Sequence, residues 1–460
     1  MRFPKALALG AALAITAELP ARAESLADTM VAAYRHSALI EQNRAVLRAA
    51  DEDVAGAIAQ LRPVLRWVLD HSVRRNEGST TSRTTSLTLG AEMTLYDWGR
   101  SQLAIDGAKE QVLATRQALV GVEQDVLLAA TSAYFGIWRA NEQVRLQQNS
   151  VEVLTRERQA AQDRFDVGEI TVTDVALADA SLAATQAALA AAQGDREIAR
   201  EAYMAATGRK PAALDAPPPL PRRPASVDAA RAIAQKTHPL ILQAQRQAAA
   251  AELAVASAAA EGRPSLSANA GLGVTRGPDT FGNYDNRLGA SAGLELSQTL
   301  YSGGRLPAAH RKAMAQRDQA RAQLLNVSRQ ISQRVGESWS DIDVARAQIS
   351  AIDKQISAAQ QAYDGVREEA LLGARTTLDV LDAEQSLLEA RADKLSAETN
   401  LQLAHYQLLA AMGLLTVEHL NLGIPTYDPS QYYNAVRDAP RSSTQGESLD
   451  RVLRALGRGN

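Results

Sequence analysis

Two carboxylates lie three residues apart in the second half of the chain, at Asp379 and Asp382. If this segment is helical, both side chains project from one face of the helix. Carboxylates held close together repel one another and favour cations at the surface that they share. A pair of ordinary solvated acids is the simpler alternative, because acidic side chains are usually exposed.

An internal repeat distinguishes the two acids. The segment TLYDWGR at 94–100 recurs as TLYSGGR at 299–305, a spacing of 205 residues that also pairs Asp174 with Asp379. Both of these acids follow threonines that could cap a helix, and an acid in the first turn is stabilised by the helix dipole by about 0.3 to 1 kcal/mol. The second acid of the pair aligns instead with Leu177, so only the second copy carries two acids.

The residue types present offer little support for catalysis. The six histidines show no metal-ligand spacing, and neither a phosphate-binding glycine loop nor a Ser-His-Asp arrangement is evident. The chain has no cysteine, which excludes thiol catalysis, disulfides and Cys-based zinc sites. A net charge of −3 gives no basic field for nucleic acid. We therefore expect no enzymatic activity, no cofactor or metal, and no nucleic-acid partner.

Each copy follows one plan of helix, strand pair, very long helix, turn and helix. The constant spacing between the copies favours long helices in register, because loops would have drifted in length. The first repeat, 24–208, is predicted to contain a helix from Ser25 to Gln60, a strand pair at 62–97, a long helix at 99–165, a tip turn and a helix at 172–207. After a Pro-rich linker at 209–226, the second repeat, 227–413, is predicted to contain a helix, a strand pair at 264–301, a long helix at 304–370, a tip turn and a helix at 377–413.

In the four predicted strands, apolar and polar residues alternate over about eleven residues. This is the length at which a tilted strand crosses a bilayer, and the polar face would suit a water-filled lumen. Four strands cannot close a membrane barrel alone, so several chains would share one: two copies would give eight strands and three would give twelve. The alternative is a set of surface strands on a soluble sheet.

The long helices would each run for about 66 residues, or about 100 Å. Along the first, apolar residues recur at spacings of three, four and seven, which is typical of a coiled-coil seam. Aromatic residues make up only 4% of the chain, which suits closely packed helices better than a bulky core. A free-standing coiled-coil rod would explain these helices but not the strands.

The two ends of the chain read differently from the repeats. Segment 1–23 has the pattern of a signal peptide, with Arg2 and Lys5 before a short apolar run and small residues at the cleavage site. No later stretch reaches the roughly 20 apolar residues of a spanning helix. We expect export without a helical membrane anchor. The C-terminal tail, 414–460, turns polar and is expected to be partly disordered.

Together these motifs resemble the TolC family of outer-membrane efflux proteins. The resemblance covers about residues 24–436 and rests on the duplicated strand pair, the Tyr-x-x-Gly-Arg junctions and two tip segments, Arg164–Gly168 followed by Thr173–Val175, and Gly373 followed by Asp379–Asp382. It implies an α+β membrane protein that forms a homotrimer. A long α-helical coiled-coil barrel would continue a transmembrane antiparallel β-barrel to which each protomer gives four strands. The protein would lie in the outer membrane of a Gram-negative bacterium and extend into the periplasm.

By this resemblance, the chain would be the exit duct of a tripartite efflux or type I secretion system. Its partners would be outer-membrane lipid, a periplasmic adaptor, and an inner-membrane transporter that is either an ABC protein or proton-driven. The motif from Tyr427 to Arg437 looks like that of members serving type I secretion. The alternatives are a periplasmic coiled-coil scaffold or tether, and a stand-alone passive porin.

The resemblance also assigns roles at the tip. These are a pore constriction at Asp379 and Asp382, a gate at Thr173, Asp174 and Arg375, and an adaptor contact at Val167, Gly168, Leu372 and Gly373. In the gate, Arg375 would bond across the tip to Thr173 and Asp174 and hold the helices shut. The family's best-known closed form has a tyrosine where this chain has Ala370, so the closed state is expected to lack one latch.

Overall fold

The computed structural model describes residues 23–75, 81–278, 283–425, 427–437 and 451. The predicted signal peptide lies outside the described residues, apart from Ala23. The part of the tail beyond residue 437, where disorder is expected, also lies outside them, apart from residue 451.

The order of elements repeats along the chain, as the sequence spacing predicts. The helices are α1 (Leu26–His36), α2 (Ala38–Ala59), α3 (Arg100–Asp166), α4 (Val172–Thr207), α5 (Val227–Thr237), α6 (Pro239–Ala260), α7 (Arg305–Leu371), α8 (Thr377–Ala411) and α9 (Pro429–Val436). The strands are β1 (Val64–Arg74), β2 (Ser82–Tyr96), β3 (Ser265–Pro278) and β4 (Tyr284–Ser297). Helices α3 and α7 each have 67 residues and lie within one residue of their predicted bounds.

The prediction of one helix from Ser25 to Gln60 is wrong, because this segment forms two helices, α1 and α2, separated at Ser37. There the backbone is extended, and the Ser37 hydroxyl accepts a hydrogen bond from the Ile40 amide at 3.3 Å. In the second repeat, His238 and Pro239 make the equivalent break between α5 and α6. Proline has no amide hydrogen and disfavours helical backbone in the residue before it.

The strands form one antiparallel sheet in the order β1-β2-β3-β4. The register aligns Trp67, Leu89, Leu272 and Ala290 in one row across a single face. The alternate positions form the opposite face, which is polar and rich in glycine. One of its rows is Arg66, Gly90, Gly271 and Ser291. The apolar face is solvent-exposed in the isolated chain, with Trp67 68% exposed, so a partner or lipid has to cover it.

Among the described residues, one helix, α4, is long and apolar enough to cross a membrane by length and composition, with a mean hydropathy of 1.4 over its most apolar stretch. The expectation that no segment after the signal peptide reaches this level is therefore wrong by this measure. Its apolar content comes largely from alanine. Alanine also permits close packing between neighbouring helices, so composition alone does not place α4 in a bilayer.

The chain divides into two compact units. Among the described residues, the first comprises 23–36, 129–220 and 348–402 and includes both turns between the long helices and their successors. The second comprises the described residues of 37–128, 221–347 and 403–437, with residue 451, and includes the sheet.

In the second unit, part of the tail is an ordered helix that packs on α2. The Tyr427 and Tyr433 rings join a core formed by Leu47, Val54 and Val112. The Arg44 guanidinium lies 4.9 Å from the Tyr427 ring centre. The partly disordered tail predicted at 414–460 thus begins with a docked segment.

Candidate functional site

The turn between α3 and α4 is closed by hydrogen bonds at both ends. The Gly168 amide, at a φ of +82°, donates to the Phe165 carbonyl at 2.9 Å, which ends α3. Thr171 caps α4, because its hydroxyl accepts from the Asp174 amide at 3.4 Å. In return, Asp174 Oδ2 accepts from the Thr171 amide at 2.9 Å, which completes a capping box.

The turn between α7 and α8 is built in the same way. The Gly373 amide donates to the Ala370 carbonyl at 3.1 Å. The Thr376 hydroxyl accepts from the Asp379 amide at 3.2 Å, and Asp379 Oδ2 accepts from the Thr376 amide at 2.9 Å. The capping role that the repeat predicts for Asp174 and Asp379 is therefore confirmed.

An ion pair spans each turn, and the charges are exchanged between the repeats. In the first, Arg164 Nε lies 3.2 Å from Glu169 Oε2. In the second, Arg375 Nε lies 2.9 Å from Glu369 Oε2. Glu369, six residues before Arg375, therefore accepts from its Nε within the same turn, and the predicted bond of Arg375 to Thr173 and Asp174 stays a prediction.

The two acids of the predicted constriction lie one turn apart near the start of α8. Hydrogen bonds from the Thr376 amide and hydroxyl hold the pKa of Asp379 below its ordinary range, so its carboxylate is charged at neutral pH. Asp382 is exposed. Both acids lie on one helix, and their role in a pore stays a prediction.

The predicted adaptor residues lie on the exposed surface of the turns. Val167 is 72% exposed and Leu372 is 86% exposed, and each is followed by the glycine that ends its helix. Two apolar side chains held this far into solvent are available to a partner.

Sequence reasoning missed a buried pair behind the tip. Glu384 on α8 and Tyr363 on α7 are both buried. The 205-residue spacing aligns them with Asp179 and Arg158, which form an exposed ion pair at 2.8 Å. The alignment of the repeats shows that Tyr and Glu in the second copy replace Arg and Asp in the first. It does not show that Tyr363 and Glu384 are buried.

Ala370 also lies in this region, buried among Tyr363, Val380 and Leu387. Alanine has no side-chain group that could form a hydrogen-bonded latch.

A four-stranded sheet with one apolar face and two helices of 67 residues, each followed by a capped turn, are the elements expected of an outer-membrane channel with a helical tunnel. Residues 30–209 and 231–414 match the family model described as outer membrane efflux protein. The chain belongs to this family, whose members are transport channels.

Individual relatives agree with the family match. The chain is 33% identical over 422 residues to the outer membrane efflux protein BepC of Brucella suis, covering 91% of each. It is 24% identical over 424 residues to the outer membrane protein TolC of Escherichia coli, covering 86% of this chain and 84% of that one. The crystal structure of VceC from Vibrio cholerae has the same fold, with a TM-score of 0.71 at 21% identity over 84% of this chain and 96% of that one.

The protein is thus an exit duct for efflux or type I secretion in the outer membrane of a Gram-negative bacterium, reaching into the periplasm. Membership in this family sets aside the periplasmic tether and the stand-alone porin.

Proposed function

We propose that the protein acts as a homotrimeric duct. Its periplasmic tip opens when an adaptor and an ABC or proton-driven inner-membrane transporter engage it. The observation that carries the proposal is the acid pair Asp379 and Asp382, which the second repeat alone presents just behind a capped turn. Three copies would bring six carboxylates to one opening.

The sheet supports assembly from several chains. In the described residues, β1 pairs with β2 and β4 pairs with β3, and each of these outer strands keeps one edge without a partner. Unpaired backbone groups in lipid cost several kcal/mol each, so a membrane sheet has to close. Three copies of four strands make the twelve-stranded barrel that the family resemblance implies.

The constriction would select by charge. Six carboxylates around a narrow opening attract cations and repel anions, more strongly where protein displaces water. Because the pKa of Asp379 is lowered, its share of this charge persists at mildly acidic pH.

We assign the gate to contacts within each turn. Arg375 stiffens the second turn through Glu369, and Asp174 stiffens the first turn through Thr171. Thr173 lies exposed beside Asp174 in the first turn of α4. The adaptor would contact Val167 and Gly168 on the first turn and Leu372 and Gly373 on the second. The exposed apolar side chains of Val167 and Leu372 need a partner surface.

The test is the conductance of the purified protein in a planar bilayer, with selectivity taken from the reversal potential in a salt gradient. The wild type is expected to show small, cation-selective openings. The double variant Asp379→Asn/Asp382→Asn is expected to lose most of that selectivity. Asparagine is itself a good N-cap residue, so the turn should survive the change.

Asp174→Asn is the matched control, since it alters the same capping position in the repeat that has no second acid. It should leave selectivity unchanged. Equal selectivity in the double variant and the wild type would return both acids to capping and surface charge. Folded protein that forms no channel would contradict the pore itself.

A further inference from the structure

Among the residues that the structure describes, one carboxyl group near the tip is buried and forms no salt bridge. Glu384 lies on α8, two residues beyond Asp382, and is 7% exposed. It borders a cavity of about 110 Å³ between α3, α7 and α8, together with Asn149, Ser150, Gln360, Tyr363 and Arg391. In the described part of the chain, Glu384 Oε2 accepts no hydrogen bond.

At the equivalent position of the first repeat, the carboxylate forms an ion pair. Asp179, the counterpart of Glu384, is paired with Arg158 Nε at 2.8 Å, and both side chains are at least one-third exposed. In the second repeat, Tyr363 replaces that arginine and is buried. The second copy has therefore exchanged a solvated ion pair for a carboxyl group buried beside a phenol.

The two arginines near Glu384 bind other side chains. Arg367 on α7 pairs with Glu157 on α3 at 3.3 Å. Arg391 on α8 donates to Gln360 Oε1 at 2.8 Å. Both arginines favour the ionised form of Glu384 only from a distance, and Glu157 opposes it.

The remaining neighbours do not change this balance. Ser150 on α3 favours the ionised form, but its hydroxyl does not reach hydrogen-bonding geometry. On α7, burial raises the pKa of Tyr363 to about 12, with added repulsion from Glu157, Glu384 and Asp364, so the phenol stays neutral. Burial first, and then Glu157, raises the pKa of Glu384 to about 7.

We propose that Glu384 is a proton-operated switch of the tip: its neutral form holds α8 packed against α3 and α7, and its ionised form favours their separation. This inference rests on the proposed function, because it assigns a pH dependence to the opening of the proposed gate. Glu384 is buried by residues of its own chain, so it stays buried when further protomers assemble around it.

The direction of the effect follows from proton linkage. The packed state holds the proton more tightly than an opened state in which Glu384 meets water at its ordinary pKa of 4.5. The packing contribution is therefore complete below pH 4.5 and is lost as the pH rises through about 7. Between pH 5 and pH 8, the opening equilibrium of one protomer should shift toward the open state on the order of 50-fold.

Bilayer recordings from pH 5 to pH 8 test the switch. The wild type should open far more often at pH 8, whereas Glu384→Gln, which imitates the neutral form, should keep its low-pH behaviour throughout. Asp179→Asn is the matched control from the first repeat and should titrate like the wild type. A Glu384→Gln protein with the wild-type pH response would overturn the proposal.

A second measurement does not depend on conduction. The infrared band of protonated carboxyl groups, taken as wild type minus Glu384→Gln on the full protein, should disappear with a midpoint near pH 7. Disappearance near pH 4.5 would refute the switch even if the channel conducts as proposed. Failure of the constriction would show instead in the selectivity of the Asp379→Asn/Asp382→Asn variant, with the infrared midpoint unaffected.

Discussion

At the scale of single residues, two carboxyl groups on α8 respond to acid in opposite directions. Asp379 is stabilised as a carboxylate by Thr376, so its contribution to the turn is present above its ordinary pKa of 3.8 and is lost only in stronger acid. Glu384 is stabilised as a neutral acid, and its contribution is lost as the pH rises through about 7. Of these two groups, only Glu384 changes its charge across the pH range of most natural waters.

The role of Asp379 in capping α8 can be separated from the role of its charge by changing its capping partner, Thr376. Thr376→Ala removes the hydroxyl that caps α8 and should cost about 1 kcal/mol of local stability. Hydrogen exchange of the first amides of α8 should therefore become faster, while cation selectivity stays intact because both acids remain. Thr171→Ala should speed exchange at the start of α4 instead. Loss of selectivity in Thr376→Ala would mean that the cap positions the constriction.

At the scale of elements, the helix breaks depend on glycines that end later helices. Gly413 has a φ of +76°, and a Cβ there would lie 2.6 Å from the His238 Cα and 2.7 Å from the Thr237 carbonyl oxygen. Gly208 occupies the equivalent place in the first repeat, where a Cβ would instead meet the imidazole ring of His36. A side chain can turn away from such a contact, but backbone atoms between two helices cannot.

Gly413→Ala should therefore destabilise the protein more than Gly208→Ala does. Both add strain at a positive φ, and the first also forces a backbone contact, so losses of about 3 and about 1 kcal/mol are expected. Thermal unfolding of the two variants in the same detergent provides the comparison. Equal losses of stability in the two variants would indicate that the backbone at His238 moves away from the added Cβ as easily as a side chain does.

The sequence predicts the elements to different degrees, for physical reasons. The change to helical periodicity after Gly99 and Gly304 locates α3 and α7 to within one residue, and the constant spacing between the repeats predicts their equal length. The break at Ser37 is invisible to periodicity, since a single extended residue hardly alters the apolar pattern. Helix α9 depends on packing against α2, which no local pattern encodes.

The candidate site was predictable where it is local and not where it is tertiary. The capping boxes follow from Thr and Asp three residues apart. The pairing of Arg375 with Glu369 and the burial of Glu384 depend on how α3, α7 and α8 pack, which spacing alone does not determine.

At the scale of the whole molecule, the sheet presents one continuous apolar face that the isolated chain leaves exposed. Leu89 and Leu272 lie side by side in its central row, each about half exposed. Lipid would cover this face in the membrane, and the glycine-rich opposite face would line the lumen.

An arginine on this face should prevent stable insertion. Leu89→Arg places a charge near the middle of the lipid-facing row and should cost about 2 to 4 kcal/mol, whereas Thr88→Arg puts the same residue on the opposite face and should be tolerated. The yield of heat-resistant oligomers after refolding into lipid vesicles measures both. Equal yields would mean that the sheet does not face lipid as proposed.

The equal length of α3 and α7 restricts how this protein can evolve. One residue inserted into α3 alone would advance its end by 1.5 Å and rotate it by about 100° relative to α7. The two turns, which belong to one compact unit, would then present mismatched heights and faces. Lineages can therefore lengthen or shorten the duct only by matched insertions or deletions in both halves of the gene, in steps that restore helical phase.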